Sequence, residues 1–412
     1  MLPLAAKRPL RIAISIWMFK PGSGGLQAHA EQLSRALAQR GHKVTVVTRA
    51  YSFVPQFRDY LFANEAVGDV SLDGIRVRSL QLGSKWRPVQ WLLSKCVARQ
   101  RLTALGVRLY EMQAMHSARK AYHDADIVHH IGQATALVGF AAEKAARFER
   151  IPFLVQPTCH PFQAGDDFLD HRLFRRADRL LVYTQFEANY FRSLDYQVPI
   201  DVVGSGIEDR ADGNAARFRQ QMGISGKIIL YVGRKEPDKG YPLVIEAFRH
   251  LRGKMLDVNL VCMGPSEANN VRAAEKGLVD LGFVSEQTKH DALAACTCLC
   301  VPSVGESFGM IYMEAGRYAK PVVARRLPVL EELLENGRAG LLVGTPNGKK
   351  NAVNITADEL GASLYHLLNS PEECVRLGQN CRRVSEKFLW PEVVKRFECA
   401  YETALGSHCS GA

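Results

Sequence analysis

Two glutamates, whose side chains can bind sugar hydroxyls, lie in segment 303–314. The segment reads Ser-Val-Gly-Glu-Ser-Phe-Gly-Met-Ile-Tyr-Met-Glu. Each carboxylate oxygen accepts hydrogen bonds from hydroxyl donors, so Glu306 and Glu314 suit a sugar ring or a ribose. The segment follows a predicted buried strand and turns into a predicted helix, whose first amides can hold phosphate or sugar oxygens. Two glutamates at this spacing arise by chance in most chains, so the position after a strand is the stronger evidence.

A second candidate loop, 233–240, carries two cations between a predicted strand and a predicted helix. Arg234 offers a planar fork of donors and Lys239 a compact charge, and together they can neutralise a diphosphate. A solvated charged loop is the alternative interpretation. The position at the end of a strand favours a binding role, because open α/β sheets bind ligands at the carboxyl ends of their strands.

A glycine-rich loop, Gly22-Ser23-Gly24-Gly25, separates the first predicted strand from its helix. Glycine lets the backbone approach a phosphate or sugar, and a helix N-terminus favours negative charge. The spacing is not Gly-x-Gly-x-x-Gly, and no acidic residue ends the next strand, so the loop fails as a dinucleotide fingerprint. A tight turn explains the loop equally well.

Alternating strands and helices must position these loops. The chain of 412 residues is longer than a single hydrophobic core usually accommodates, which favours two domains. Apolar runs predict strands at 11–19, 44–48, 126–131, 152–156 and 178–184, and again at 228–233, 258–263, 279–283, 296–301, 321–324 and 340–343. Helix-compatible stretches separate them, which predicts two parallel sheets. Glycines within 203–213 place the join there.

The net charge of +11 favours anionic partners without choosing among nucleotides, phospholipid headgroups and nucleic acid. No apolar run reaches the roughly 20 residues that span a bilayer, which predicts a soluble or peripheral protein. Segment 84–122 mixes Lys and Arg with Trp and Leu. It either lies on an anionic membrane surface or packs on the sheet as a helical insertion with a solvated basic face.

The ten cysteines lack the spacing of a disulfide framework. Cys296, Cys298 and Cys300 alternate along one apolar segment, as core strand residues do. No histidine lies at a ligand spacing from them, so a metal site is the weaker alternative. The pattern predicts reduced thiols in a cytosolic protein. Segment 344–356 is interpreted as a polar loop.

Over nearly its whole length the chain resembles glycosyltransferase family 4, the retaining enzymes of the GT-B fold. The resemblance rests on motifs in the family's order: Gly24-Gly25, Arg40-Gly41-His42-Lys43-Val44, Asp126-Ile127-Val128-His129, Thr158-Cys159-His160, Ala177-Asp178-Arg179, Gly206-Ile207-Glu208, Gly233-Arg234, Lys239-Gly240, Gly282-Phe283-Val284, Pro302-Ser303, Glu306-Ser307-Phe308-Gly309, Glu314-Ala315 and Pro321-Val322-Val323-Ala324. It implies two Rossmann-like α/β domains that face each other across a cleft. An acceptor-binding domain would span 1–205 and a nucleotide-sugar domain 206–389, with a last helix, about 390–407, packed back onto the first.

The resemblance also implies roles for individual residues. Arg234 and Lys239 would bind the donor diphosphate, Glu314 the ribose hydroxyls and Glu306 the transferred sugar. The remaining donor contacts would come from backbone groups of Gly24, Gly25, Phe308, Gly309, Met310 and Ile311. His160 matches the family's active-site histidine and joins Glu306, Arg234 and Lys239 as a catalytic residue, whereas His129 fits a structural role better. The family works without a bound metal, and two cations suit that electrostatic task, so neither metal nor cofactor is expected.

The implied activity is transfer of a hexosyl-type sugar, with retention, from a nucleoside diphosphate sugar to a hydroxyl acceptor. That acceptor would be a saccharide, a lipid-linked molecule or a small molecule in glycan, polysaccharide or glycolipid biosynthesis. A cytoplasmic protein is expected, with possible peripheral contact at the inner face of the membrane and no nucleic-acid partner. The alternatives are a non-catalytic GT-B subunit of a glycan-assembly complex, which would be expected to lose donor-site charges, and a nucleotide-sugar epimerase.

One segment departs from the family pattern. Many members carry a Gly-Gly pair after the strand 321–324, whereas this chain reads Arg325-Arg326-Leu327-Pro328. The departure predicts either an altered donor pocket or an added contact to an anion.

Overall fold

The computed structural model describes residues 8–19, 24–49, 69–72, 74–80, 103–134, 137–163, 165–265, 275–347 and 353–409. The chain divides into two units. Unit 1 comprises Met1–Gly206 together with Trp390–Ala412, and unit 2 comprises Ile207–Leu389.

The strands and helices alternate along most of the chain. The strands are β1 Arg11–Ser15, β2 Lys43–Thr48, β3 Val70–Leu72, β4 Ile75–Ser79, β5 Ile127–Ile131, β6 Phe153–Gln156, β7 Arg179–Val182, β8 Ile200–Val202, β9 Lys227–Val232, β10 Val258–Met263, β11 Leu278–Asp280, β12 Cys298–Val301, β13 Val322–Arg325, β14 Leu341–Val343, β15 Thr345–Pro346 and β16 Val353–Asn354. The α-helices are α1 Gly25–Gln39, α2 Thr103–Tyr122, α3 Val138–Glu149, α4 Phe168–Phe174, α5 Gln185–Ser193, α6 Ala215–Met222, α7 Tyr241–Arg252, α8 Glu286–Ala295, α9 Met310–Arg317, α10 Pro328–Leu333, α11 Ala357–Leu368, α12 Pro371–Glu386 and α13 Trp390–Cys409.

Unit 1 contains a sheet in the order β3-β4-β2-β1-β5-β6-β7-β8. Its pairs are parallel except β3 with β4, which is antiparallel. Every residue of β5 and β6 is buried, as expected for central strands covered on both faces. Helix α1 buries Ala30, Leu33 and Leu37, which recur at helical spacing. It ends where Gly41 adopts a φ of 92°.

Helix α13 lies in unit 1 and packs against α1. Trp390 Nε1 donates to Gln32 Oε1 at 3.0 Å, and Arg40 donates to the Glu398 carboxylate with Nε at 2.8 Å from Oε1. Tyr401, fully buried, bonds the ring of His129. The last helix therefore covers part of the sheet that the first 206 residues build.

Unit 2 contains a sheet in the order β11-β10-β9-β12-β13-β14, with every pair parallel. Strand β12 is buried throughout and lies between β9 and β13. Because their directions agree, the loops that follow β9, β12 and β13 leave the same edge of the sheet. The predicted α/β class with parallel sheets is confirmed.

Some predicted boundaries and segments were wrong. The strand predicted at 296–301 begins at Cys298, because Cys296 still donates its amide to Ala292 O and ends α8. The loop predicted at 344–356 contains the antiparallel pair β15 and β16, although 348–352 lie outside the described residues. Strands β3, β4 and β8 were not predicted. Of segment 84–122, only the part that forms α2 is described.

Candidate active site

Two loops of unit 2 that carry predicted site residues are joined through their backbones. The amide of Val304, after β12, donates to the carbonyl of Asp238, after β9, at 2.8 Å. This bond fixes loop 302–309 against loop 233–240. The two loops therefore form one surface at the carboxyl edge of the sheet.

Lys239 and Glu306 meet on that surface. Lys239 Nζ donates to Glu306 Oε1 at 2.9 Å, and both side chains are mostly buried. Beneath them the hydroxyl of Tyr231, on β9, donates to the carbonyl of Arg234 at 2.6 Å and lies 3.4 Å from that of Lys239. A cation and a carboxylate thus lie side by side, 67 residues apart in the sequence.

Arg234 lies in the same loop and is half exposed, with 52% of its side chain accessible. It contacts Glu236, and its Nη2 lies 2.8 Å from Asp238 Oδ2. Both carboxylates belong to its own loop and face solvent in part, so water screens these pairs and an anionic ligand can compete for the guanidinium. Lys235, next in sequence, is instead buried against Asp280 at the end of β11.

The first turn of α9 supplies the predicted backbone donors. Gly309 caps the helix with a φ of 87°, and a Cβ there would meet the Tyr312 ring at 2.4 Å. Phe308 is buried and packs edge-on against Phe388, with ring centroids 5.0 Å apart. Met310 and Ile311 begin the helix, where amides lack partners within the helix and favour negative ligand atoms.

Glu314 lies further along α9 and has a different partner from Glu306. Its Oε2 is 2.8 Å from the ammonium of Lys289, on α8, and only 18% of the Glu314 side chain is exposed. The two predicted glutamates therefore belong to separate ion pairs. Sequence reasoning missed Lys289, because nothing in segment 286–295 marks it apart from the other polar residues.

Arg325, in the segment that departs from the expected pattern, ends β13 and donates to two backbone carbonyls. Its Nε lies 3.3 Å from Pro302 O and its Nη1 2.6 Å from Val353 O. Burial lowers the pKa of this guanidinium. Arg326 donates to Leu342 O at 3.1 Å. Arg325 therefore connects the loop that follows β12 with strand β16. Its guanidinium has a structural role here.

Three further predicted residues lie in unit 1. Gly24 and Gly25 begin α1, with the Ala28 amide donating to Gly24 O at 2.9 Å, while Gly22 and Ser23 lie outside the described residues. His160 is half-buried on the loop after β6, and its carbonyl accepts from the Gln163 amide.

Asp166, which sequence reasoning missed, holds the loop that carries His160. Its carboxylate accepts from the Phe162 amide at 2.6 Å and from the Tyr190 hydroxyl at 2.5 Å, and it lies 2.8 Å from His171 Nε2. Phe162 has a φ of 68°, which is an unfavourable region for a residue with a side chain. The hydrogen bonds of Asp166 stabilise that conformation.

Unit 1 also contains buried histidines. His29 bonds Ser205 Oγ at 2.8 Å and Gln156 Oε1 at 3.0 Å, and burial lowers its pKa to about 4. His129 Nδ1 lies 2.9 Å from Tyr401 OH, and burial lowers the pKa of His129 as well. His129 is fully enclosed, which agrees with the structural interpretation.

Replacing Gly240 with alanine should destabilise the loop that carries Lys239. Gly240 has a φ of 71°, and a Cβ there would lie 2.4 Å from the Pro302 carbonyl oxygen. Backbone strain and the clash together should lower the free energy of unfolding by about 2 kcal/mol. Urea-induced unfolding measures this loss. Gly253→Ala is the matched control, because its φ is −63° and its nearest neighbour lies 3.6 Å away. Equal stability of the two variants would contradict the expectation.

Two family models match the chain, one in each unit. A model described as glycosyl transferase 4-like domain matches residues 24–206. A model described as glycosyl transferases group 1 matches residues 226–358. Together they cover most of both units and include every predicted site residue.

Curated relatives are proteins named D-inositol 3-phosphate glycosyltransferase. The relative from Corynebacterium efficiens is 29% identical over 264 residues, which cover 59% of this chain and 60% of the relative, less than two thirds of its length. The relative from Mycobacteroides abscessus is 28% identical over 381 residues, with 83% of this chain and 80% of the relative covered. The relative from Mycobacterium bovis is 27% identical over 445 residues, with 98% and 85% covered.

Solved structures share the fold. Sucrose-phosphate synthase from Thermosynechococcus elongatus matches with a TM-score of 0.70 at 18% identity, covering 97% of this chain and all of that one. Anabaena Alr3699/HepE, solved with UDP and glucose, also has a TM-score of 0.70 at 18% identity, with 96% of this chain covered. The predicted GT-B fold is confirmed. No helix among the described residues is long and apolar enough to cross a membrane.

Proposed function

Since the chain belongs to glycosyltransferase family 4, we propose that it moves a hexosyl-type sugar from a nucleoside diphosphate sugar to a hydroxyl acceptor, with retention of the anomeric configuration. The observation that carries the proposal is the contact between Lys239 and Glu306, on two loops joined at the carboxyl edge of one parallel sheet. A nucleotide sugar needs a cation to bind its diphosphate and a carboxylate to accept hydrogen bonds from the hydroxyls of its sugar. These two side chains supply both within 2.9 Å.

The diphosphate is assigned to Arg234 and Lys239. Arg234 is half exposed and contacts carboxylates of its own loop, so a diphosphate with more negative charge can replace them. Lys239 is held between the two loops and loses little freedom on binding. Two fixed cations stabilise the negative charge that develops on the leaving phosphate. The proposal requires no metal or cofactor, because these side chains supply the positive charge.

The transferred sugar is assigned to Glu306 and the first turn of α9. Glu306 is held by Lys239, so its second oxygen can accept from sugar hydroxyls. Backbone groups of Phe308, Gly309, Met310 and Ile311 complete that contact. In unit 1, Gly24 and Gly25 are assigned to the diphosphate and His160 to the transferred sugar, as the family resemblance implies.

Transfer on one face of the sugar accounts for retention. The bond from the anomeric carbon to the diphosphate oxygen breaks while a bond to the acceptor oxygen forms on the same face. The acceptor's proton passes to the leaving phosphate. Arg234 and Lys239 would stabilise that phosphate, and Glu306 would keep the sugar oriented.

The acceptor is proposed to be a saccharide, a lipid-linked molecule or a small molecule in glycan, polysaccharide or glycolipid biosynthesis. The relatives' printed names support a phosphorylated small molecule among these. A peripheral contact with the inner face of the membrane belongs to the same proposal. Its support is α2, which exposes 47% of Leu105 and 64% of Met112 beside exposed Arg108.

A panel of nucleotide sugars tests the activity. The protein is incubated with UDP-, GDP- and ADP-sugars and candidate acceptors, and release of nucleoside diphosphate is measured. NMR of the product then gives its anomeric configuration. We expect acceptor-dependent release and a retained configuration. Conversion of the sugar without an acceptor would favour an epimerase, and an inverted product would contradict the proposed mechanism.

A further inference from the structure

Lys289 is a largely buried ammonium on α8, with only 16% of its side chain exposed. Its Nζ lies 2.8 Å from Glu314 Oε2 on α9 and 2.8 Å from Glu286 Oε2 on its own helix. Glu286 is 71% exposed, whereas Glu314 is 18% exposed. Water screens the pair with Glu286, so the pair with Glu314 is the stronger of the two.

The ammonium keeps its charge in this environment. Burial favours a lower pKa, but the carboxylates of Glu314 and Glu286 outweigh it and hold the pKa of Lys289 above its usual value. A charged pair with little exposure gives up most of its hydration, and apolar replacements of such pairs are often neutral or stabilising. The contribution of this ion pair to folding stability therefore does not by itself explain why a lysine occupies this position.

The geometry leaves part of Glu314 available. Its Oε2, which faces Lys289, is buried, so the 18% exposure of the side chain belongs to its other atoms. The ion pair at 2.8 Å with a largely buried ammonium restricts rotation of the carboxylate. Its second oxygen is then directed in advance, which reduces the entropy lost when a ligand binds.

We propose that Lys289 is a positioning residue for the nucleoside part of the donor, which fixes Glu314 Oε2 so that the remaining oxygen accepts from the ribose hydroxyls. This inference rests on the proposed function, which assigns Glu314 to the ribose. Lys289 itself need not contact the donor. Its effect should therefore depend on the hydroxyls of the ribose and not on the diphosphate.

Calorimetric titration of the full chain tests this dependence. The probes are UDP, GDP and ADP, of which the tightest binder to the parent is used, and the 2′,3′-dideoxy form of the same nucleotide. Lys289→Met should weaken binding of the ribonucleotide about tenfold and change binding of the dideoxynucleotide less than about twofold. Lys289→Arg, which keeps the charge, should recover part of the loss. Lys289→Gln replaces Lys289→Met if the latter does not fold.

Lys395→Met is the matched control, because Lys395 forms an exposed i,i+3 pair with Glu392 at 2.8 Å on α13. It should bind both nucleotides like the parent. Equal weakening of both nucleotides by Lys289→Met, or weakening of neither, would overturn the positioning role. Glu314→Gln tests the assignment of Glu314 to the ribose, on which the inference rests. If it does not affect ribonucleotide binding, the ribose assignment itself is wrong and the inference fails with it.

Discussion

Lys239→Ala should lower the rate of glycosyl transfer at saturating donor by about 10²–10³-fold, the usual effect of removing one fixed group that stabilises developing charge. The variant loses a cation assigned to the leaving diphosphate. It also leaves the mostly buried carboxylate of Glu306 without its partner at 2.9 Å. Both losses affect the same step, in which the bond between the sugar and the diphosphate breaks.

Steady-state rates with the donor found by the panel check this expectation. Lys395→Ala is the control, because it removes an exposed lysine in unit 1 that pairs with Glu392. Glu306→Gln keeps the shape of the side chain and should slow transfer as well. A Lys239→Ala enzyme as fast as the parent with saturating donor would show that the diphosphate assignment is wrong.

Mild acid should destabilise unit 1 through its buried histidines. Burial lowers the pKa of both His29 and His130 from 6.5 to about 4, and lowers that of His129 well below 6.5. Below about pH 6.5 the unfolded chain binds protons at all three rings, whereas the folded chain does not bind them at His29 and His130 until about pH 4. Protons therefore favour unfolding in this window, and stability present above pH 6.5 is lost as the pH falls towards 4.

The contribution of His29 to this loss of stability follows from its pKa. A fall from 6.5 to about 4 corresponds to about 3 kcal/mol, at about 1.4 kcal/mol for each unit. Urea-induced unfolding at pH 7 and pH 4.5 measures the free energy of unfolding at each pH. His29→Gln should make the difference smaller. His123→Gln alters an exposed histidine of the same unit and should leave the difference unchanged. An unaltered pH dependence in His29→Gln would show that His29 does not contribute to the loss of stability in acid.

The sequence predicted the fold well because strands, loops and helices are local patterns. Buried runs such as the one that became β12 predicted parallel strands, and the loops after them carried Arg234, Lys239 and Glu306. The family, the GT-B fold and the glycosyltransferase class were all confirmed. The roles of individual site residues stay predictions.

Contacts between side chains far apart in the sequence could not be predicted in the same way. The pair of Lys289 with Glu314 depends on how α8 and α9 pack, and the pairing of Lys239 with Glu306 depends on the order of β9 and β12. Asp166 stabilises the His160 loop by accepting hydrogen bonds from the Phe162 amide and the Tyr190 hydroxyl, which no motif records. Cys296 was assigned to a strand because alternation alone does not show where a helix ends.

The position of α13 has a consequence for how the protein is made. The ribosome completes residues 207–389, the whole of unit 2, before it synthesises the helix that covers His29 and His129 in unit 1. Trp390, Phe397 and Tyr401 can reach those histidines only after all of unit 2 has been synthesised. Unit 2 can therefore fold during synthesis, whereas unit 1 cannot bury the surface that α13 covers until that helix has left the exit tunnel.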